Sequence, residues 1–429
     1  MKATRYRPIA VSAIAILLLS LLYQNLAREI IFNIIGFNRI IQPLSDFPYS
    51  CRRIYNEHLE ACEDLWLDEQ ARQLFLACTG PTSRMNWNPD VRKFNVSGRR
   101  PGGARVSVLD IDEPGQDGLY GLRQLQVVGY KGSRNDGTLD TIGFDVERVG
   151  DGALRLWMVN MQPPGNETHQ PVDAAKVGAN VTVELFEVDR SRQSMVHVKT
   201  FVHDAIATPN KPAAVGEGAF LVTNDKSTKF GLRRRLDAVL GGGSVAYCNS
   251  TSCHIAADRG FAFPNGMIKG ADGLYYVPNI LTNKISVMQL GPDLMLKEVD
   301  VIRVGMPVDN LSLDADGDIW ASGFPKALEM AASMLDPFNV SPKSTIWRIR
   351  KGVEGYEVRK MVEDRDAVAI SGATTTVHDT LTGRLFIGGH DGLQHDLDFV
   401  DGRNTLNSLT EATRDRTLRP ITTSEYSGE

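Results

Sequence analysis

GLYYVPN, residues 273–279, is a glycine, a short apolar run of strand-forming residues and a terminal asparagine. A glycine ahead of such a run marks a tight turn into a strand. The pattern returns as QLFLACTG at 73–80, ALRLWMVN at 153–160, GAFLVTN at 218–224, GDIWASG at 317–323 and GRLFIGG at 383–389, six copies in all. Their spacing is irregular, as insertions in the connecting loops would make it. Six strand-and-turn repeats predict an all-β chain built as a six-bladed propeller, with a β-sandwich as the alternative.

Between the repeats lie short apolar-flanked segments that carry hard oxygen donors: Glu63 beside Asp64, Asn210 in TPN, Asn265 in FPNG, and Asp309–Asn310 in VDNLS. Two carboxylates and three amide carbonyls form the kind of ligand set that Ca²⁺ takes. His-rich or Cys-rich spacing for a softer metal is missing.

These segments, with VTVELF at 181–186 and GFAFPNG at 260–266, run in an order that resembles the paraoxonase/arylesterase family of calcium-dependent lactonases. The resemblance covers residues 51 to 392 approximately. It implies a six-bladed propeller and one catalytic calcium held by Glu63, Asn210, Asn265, Asp309 and Asn310. An open position on such an ion suits lactone opening or ester cleavage. The family's histidine pair falls on Ile142 and Met161, and neither can accept a proton. His390 in GGHDG is therefore one candidate base, with Asp309 and Glu63 as further candidates. The family's second, structural ion would need a carboxylate after Asn210, where Lys211 stands; an ammonium there would pair with Asp64 and replace the ion. One calcium is expected. Ile142, Phe144, Met161 and Phe324 suggest an apolar pocket. Two further readings are a calcium-assisted isomerase or cyclase and a non-catalytic lipid-binding propeller.

The 429 residues suffice for a large core, and a net charge of −5 without a basic patch argues against a nucleic-acid partner. Lys2, Arg5 and Arg7 precede an apolar run from Pro8 to Tyr23. This reads as a signal anchor or a cleaved signal, with a luminal or extracellular body or a secreted one. A second apolar stretch, Ile30 to Ile41, has broadly helical spacing and fits either an interfacial helix on membrane lipid or a helix packed on the body. The domain reading is 1–44 for anchor and amphipathic helix, 45–399 for the propeller and 400–429 for a polar disordered tail. Helices are expected within 229–243 and 328–336.

Sequons at Asn95, Asn166, Asn180, Asn249 and Asn339 are candidate glycan sites, while a sixth at Asn310 should stay bare if that residue binds calcium. Five cysteines leave one over. Cys248 and Cys253 read as a small disulfide loop, and Cys62 and Cys78 as a pair across a hairpin, with Cys51–Cys62 as an alternative. The resemblance implies a bridge from Cys51 to the last strand, but that strand has no cysteine here.

Overall fold

The computed structural model describes residues 23–150, 152–389 and 398–401, with isolated positions at 14, 16, 17 and 20. Residues 1–22, apart from these positions, and the tail beyond 401 lie outside the described residues. The fold is all-β and propeller-like. Among the described residues, six sheets have four or five strands each. The first strand of each blade, at the inner end of its sheet, is buried over its N-terminal part: Cys62–Asp68, Thr141–Val149, Pro209–Gly216, Ile268–Lys269, Val308–Leu313 and Ala373–Asp379. Neighbouring first strands touch in a closed ring around a central channel. The last sheet is completed from the N-terminal side, where Ser50–Arg53 pairs antiparallel with Asp398–Asp401. Closure of this kind leaves no unpaired edge between the ends of the chain.

The six sequence repeats are the second strands of the six sheets: Gln73–Cys78, Ala153–Gln162, Ala219–Asn224, Tyr275–Asn279, Ile319–Gly323 and Arg384–Gly389. The residue entering each has positive φ: Arg72 at 55°, Gly152 at 91°, Gly218 at 77°, Gly273 at 79°, Gly317 at 82° and Gly383 at 71°. Five of these six are glycine because the left-handed region strains any residue with a Cβ. Between sheets the cores are apolar and aromatic; Phe220 lies 5.0 Å from the ring centroids of both Trp157 and Phe201.

Both disulfides of the sequence reading form, Cys62–Cys78 and Cys248–Cys253. Helix Leu232–Leu240 falls in the expected 229–243 segment, and helix Ala327–Ser333 overlaps the expected 328–336. The 30–41 stretch differs from a continuous helix. Its helical turns end at Ile34, and Gly36 then takes φ 72°. A Cβ there would sit 2.0 Å from the Pro325 carbonyl oxygen, so close docking on the body breaks the helix. Arg39 Nη2 donates to the Gly305 carbonyl at 2.6 Å and Lys326 Nζ to the Gly36 carbonyl at 2.6 Å. Ile34 and Ile41 are buried against the body, whereas Ile30, Phe32, Phe37 and Ile40 remain exposed. Among the described residues no helix is long and apolar enough to cross a membrane. Of the sequon asparagines, Asn95, Asn166 and Asn339 are exposed, Asn180 and Asn249 half-buried, and Asn310 buried.

Candidate metal centre

Hydrogen-bond register shifts occur in the first strands where the oxygen donors stand. They fall between Cys62 and Asp64, Pro209 and Pro212, Val308 and Leu311, and Ala373 and Thr375. A bulge releases a residue from ladder pairing and re-aims its side chain. The released residues include Glu63, Asn210, Asp309, Asn310 and Thr374. The asparagines that end the second strands brace the same end of the channel. Asn224 Oδ1 accepts from the backbone N–H groups of Ala207 and Thr208 at 2.9 and 3.0 Å, just before Asn210. Asn279 Oδ1 accepts from Ala262 N–H at 3.3 Å, and Asn265 N–H donates to the Pro278 carbonyl at 3.0 Å.

Glu63, Asn210, Asn265 and Asp309 line one cavity of about 270 Å³. Asn310 sits behind them, buried, with Nδ2 donating to Thr375 Oγ1 at 2.9 Å and to the Glu63 carbonyl at 3.3 Å. The Asn310 amide oxygen packs over Gly266, where a Cβ would lie 1.8 Å from it. Asp309 Oδ1 and Asn265 Oδ1 are buried without a hydrogen-bond partner. Buried acceptors of this kind are rare and costly unless something absent from the chain satisfies them. Burial, then the neighbouring Glu63, pushes the Asp309 carboxyl well above the usual range. Burial likewise raises Glu63, against the lowering effect of Arg84. The donor set therefore fits a hard divalent cation.

Other residues of the cavity escaped the sequence reading. Arg84, on the short helix Pro81–Asn86, is buried and ion-paired with Glu63. Asp225 pairs with Lys226, whose Nζ also lies 4.0 Å from Asp90 Oδ1. Phe263, Ile280, Leu281, Phe324, Met330 and Met334 form an apolar wall. Of the apolar residues expected in the pocket, Phe324 belongs to it. Ile142 and Met161 instead line a separate chamber of about 20 Å³ that shares Arg84 and Asn88. Phe144 faces a cavity lined by Trp66, Lys269 and His378. It is two residues further along an inner strand than Ile142, about 6.6 Å deeper into the channel. His390 lies outside the described residues.

Below the cavity, Lys211 Nζ pairs with Asp64 Oδ1 at 2.7 Å, both buried. Asp64 also accepts from Phe144 N–H at 2.9 Å, Leu65 N–H at 3.1 Å and Thr375 Oγ1 at 3.3 Å. The carboxylate that would face a second ion is thus already engaged by an ammonium.

A family model described as arylesterase matches residues 168–396. Serum paraoxonase/arylesterase 1 of Mus musculus is 27% identical over 320 residues, 72% of this chain and 80% of that protein. Serum paraoxonase/arylesterase 2 of Rattus norvegicus is 30% identical over 212 residues, 48% of this chain and 59% of that protein. The chain thus spans less than two thirds of the rat relative. Among solved structures, a putative gluconolactonase aligns with TM-score 0.46 at 11% identity, covering 82% of this chain and 92% of its own. The periplasmic gluconolactonase of Pseudomonas aeruginosa aligns with TM-score 0.42 at 14% identity, covering 78% and 87% respectively.

Proposed function

The chain belongs to the arylesterase family, and on that premise we propose that it is a six-bladed, calcium-dependent hydrolase that opens lactones or cleaves esters of small apolar molecules. The charge inventory of the cavity carries this reading. Four carboxylates, Glu63, Asp90, Asp225 and Asp309, stand against two cations, Arg84 and Lys226. The two surplus negative charges and the unpartnered oxygens of Asp309 and Asn265 are what one Ca²⁺ would satisfy. Glu63, Asn210, Asn265, Asp309 and Asn310 would hold it. When bound, the ion would supply a Lewis acid for a carbonyl oxygen. The chain's own groups supply the rest. The wall of Phe263, Ile280, Leu281, Phe324 and Met330 favours an apolar acyl or alcohol part and keeps bulk water away. Lys211 takes the place of a second ion by neutralising Asp64.

The N-terminal segment, in the same reading, lays Ile30, Phe32, Phe37 and Ile40 on membrane lipid, with the body in the secretory pathway. A second reading, calcium-assisted isomerisation or cyclisation, is favoured by Ile142 and Met161, which offer no proton acceptor. The test is turnover of aliphatic lactones and aryl esters by the full chain, with calcium and after chelation, with products identified. The hydrolase reading expects calcium-dependent hydroxy acid or alcohol release, lost in Asp309→Asn while the fold is kept. Products isomeric with the substrate would favour the second reading.

A further inference from the structure

Hydrolysis needs a group to take a proton from water, and the cavity's carboxylates are not equivalent. Glu63 and Asp309 belong to the proposed ligand set. Asp90 is the more exposed, at 23% for its side chain. Asp225 is buried, with Oδ2 against the Lys226 ammonium and Oδ1 without any hydrogen-bond partner. It is also fixed in place. Its backbone N–H donates to the Thr208 carbonyl at 2.9 Å, and the preceding Asn224 clamps the same loop. An unengaged carboxylate oxygen on a rigid support, in the cavity that would hold the substrate, is placed to handle a proton.

We propose that Asp225 is the proton-transfer residue of this site and that Lys226 is its positioning partner. The inference rests on the hydrolytic reading. Asp225 takes a proton from water as the water oxygen bonds to the ester carbonyl carbon. The bond from that carbon to the leaving oxygen then breaks, and Asp225 returns the proton to that oxygen. One water is added across the ester and no other reactant is consumed. With a lactone, the leaving oxygen stays on the product as a hydroxyl.

Three charged groups face Asp225: Lys226 beside it, Asp90 from the Pro89–Val91 turn, and Arg234 from helix Leu232–Leu240. Arg234 Nη2 donates to the Asp90 carbonyl at 2.7 Å, which ties that helix to the turn. Burial raises the Asp225 carboxyl, Lys226 lowers it, and Asp90 raises it. A base works ionised, so kcat/KM should fall as pH drops through a value above the ordinary aspartate range of about 3.9.

The experiment uses the full chain with calcium and the ester or lactone turned over by the unmodified protein. Asp225→Asn should lower kcat about 100-fold or more, the range for loss of a positioned acid–base group. Terbium, used as a luminescent calcium substitute, should still bind, weakened only by the loss of one nearby charge and far less than in Asp309→Asn. Lys226→Met should move the acid limb of the pH profile to higher pH, and Asp90→Asn should move it lower. If Asp225→Asn does not fold, these opposite displacements carry the test alone. Asp225→Asn with the original kcat, a parallel loss of terbium binding, or an acid limb that neither neighbour moves would overturn the proposal while leaving the hydrolase reading intact. Failure of the calcium-loaded, unmodified protein on every ester and lactone would remove that reading and this inference with it.

Discussion

Replacing Lys211 with methionine keeps most of the side-chain volume and removes the charge that neutralises Asp64. Lys211 is 4% exposed and Asp64 fully buried, so the carboxylate left behind has no access to water. Removing one partner of a buried ion pair costs about 3–5 kcal/mol. Three donors stay on Asp64, from Phe144, Leu65 and Thr375, so the lower end, about 3 kcal/mol at neutral pH, is expected. At roughly 2 °C per kcal/mol for a chain of this size or somewhat less, Tm should drop by about 5 °C. The loss should depend on pH. Burial raises the Asp64 carboxyl and Lys211 opposes this, so the variant's carboxyl rises further. A raised carboxyl favours the folded state at low pH and loses that contribution as pH rises through its folded pKa. The destabilisation should therefore be small near pH 4 and grow toward neutrality. Lys211→Met with Asp64→Asn should recover most of the loss, since no buried charge remains. Urea unfolding across pH reads all three. A cost below about 1 kcal/mol at pH 7, or one that does not change with pH, would refute the claim that this pair neutralises the channel.

Four further outcomes are expected. Without calcium, the raised Glu63 and Asp309 carboxyls make stability fall as pH rises above the ordinary carboxylate range; saturating calcium should remove that slope, as differential calorimetry at several pH values would record. Arg84→Met leaves Glu63 unpaired, so the calcium-free protein should lose about 3 kcal/mol, and calcium should raise Tm by more than it does in the unmodified chain. Gly266→Ala drives a Cβ into the Asn310 amide oxygen and should weaken terbium binding roughly tenfold or more with the fold retained. Lys211→Asp, which removes the ammonium and adds a carboxylate beside Asp64, should be rescued by millimolar calcium in a thermal melt, whereas Lys211→Met should not.

The repeats make the fold legible because each one follows a left-handed turn, filled by glycine in five of the six, and continues as a strand with a patterned face. They also hold a signal for the site that the reading left unused. Residues just after the second strands reach the cavity: Asp225 and Lys226 follow Asn224, Ile280 and Leu281 follow Asn279, and Phe324 follows Gly323. Four oxygen donors share one cavity, because bulges in three first strands aim Glu63, Asn210 and Asp309 at the end of the channel that the loop carrying Asn265 also reaches. Arg84 was not legible, since its ion pair with Glu63 depends on how a loop helix between two strands packs back. Phe144 lies outside the pocket because apolar residues two apart on an inner strand share a face but not a depth. The second apolar stretch kept its helical spacing only to Ile34, beyond which docking against Pro325 outweighs local propensity.

Calorimetric titration of calcium into the chelator-stripped full chain decides whether this cavity is a calcium site. One ion should bind per chain, with binding abolished in Asp309→Asn and retained in Asp225→Asn. No binding, two ions per chain, or binding indifferent to Asp309 would contradict it.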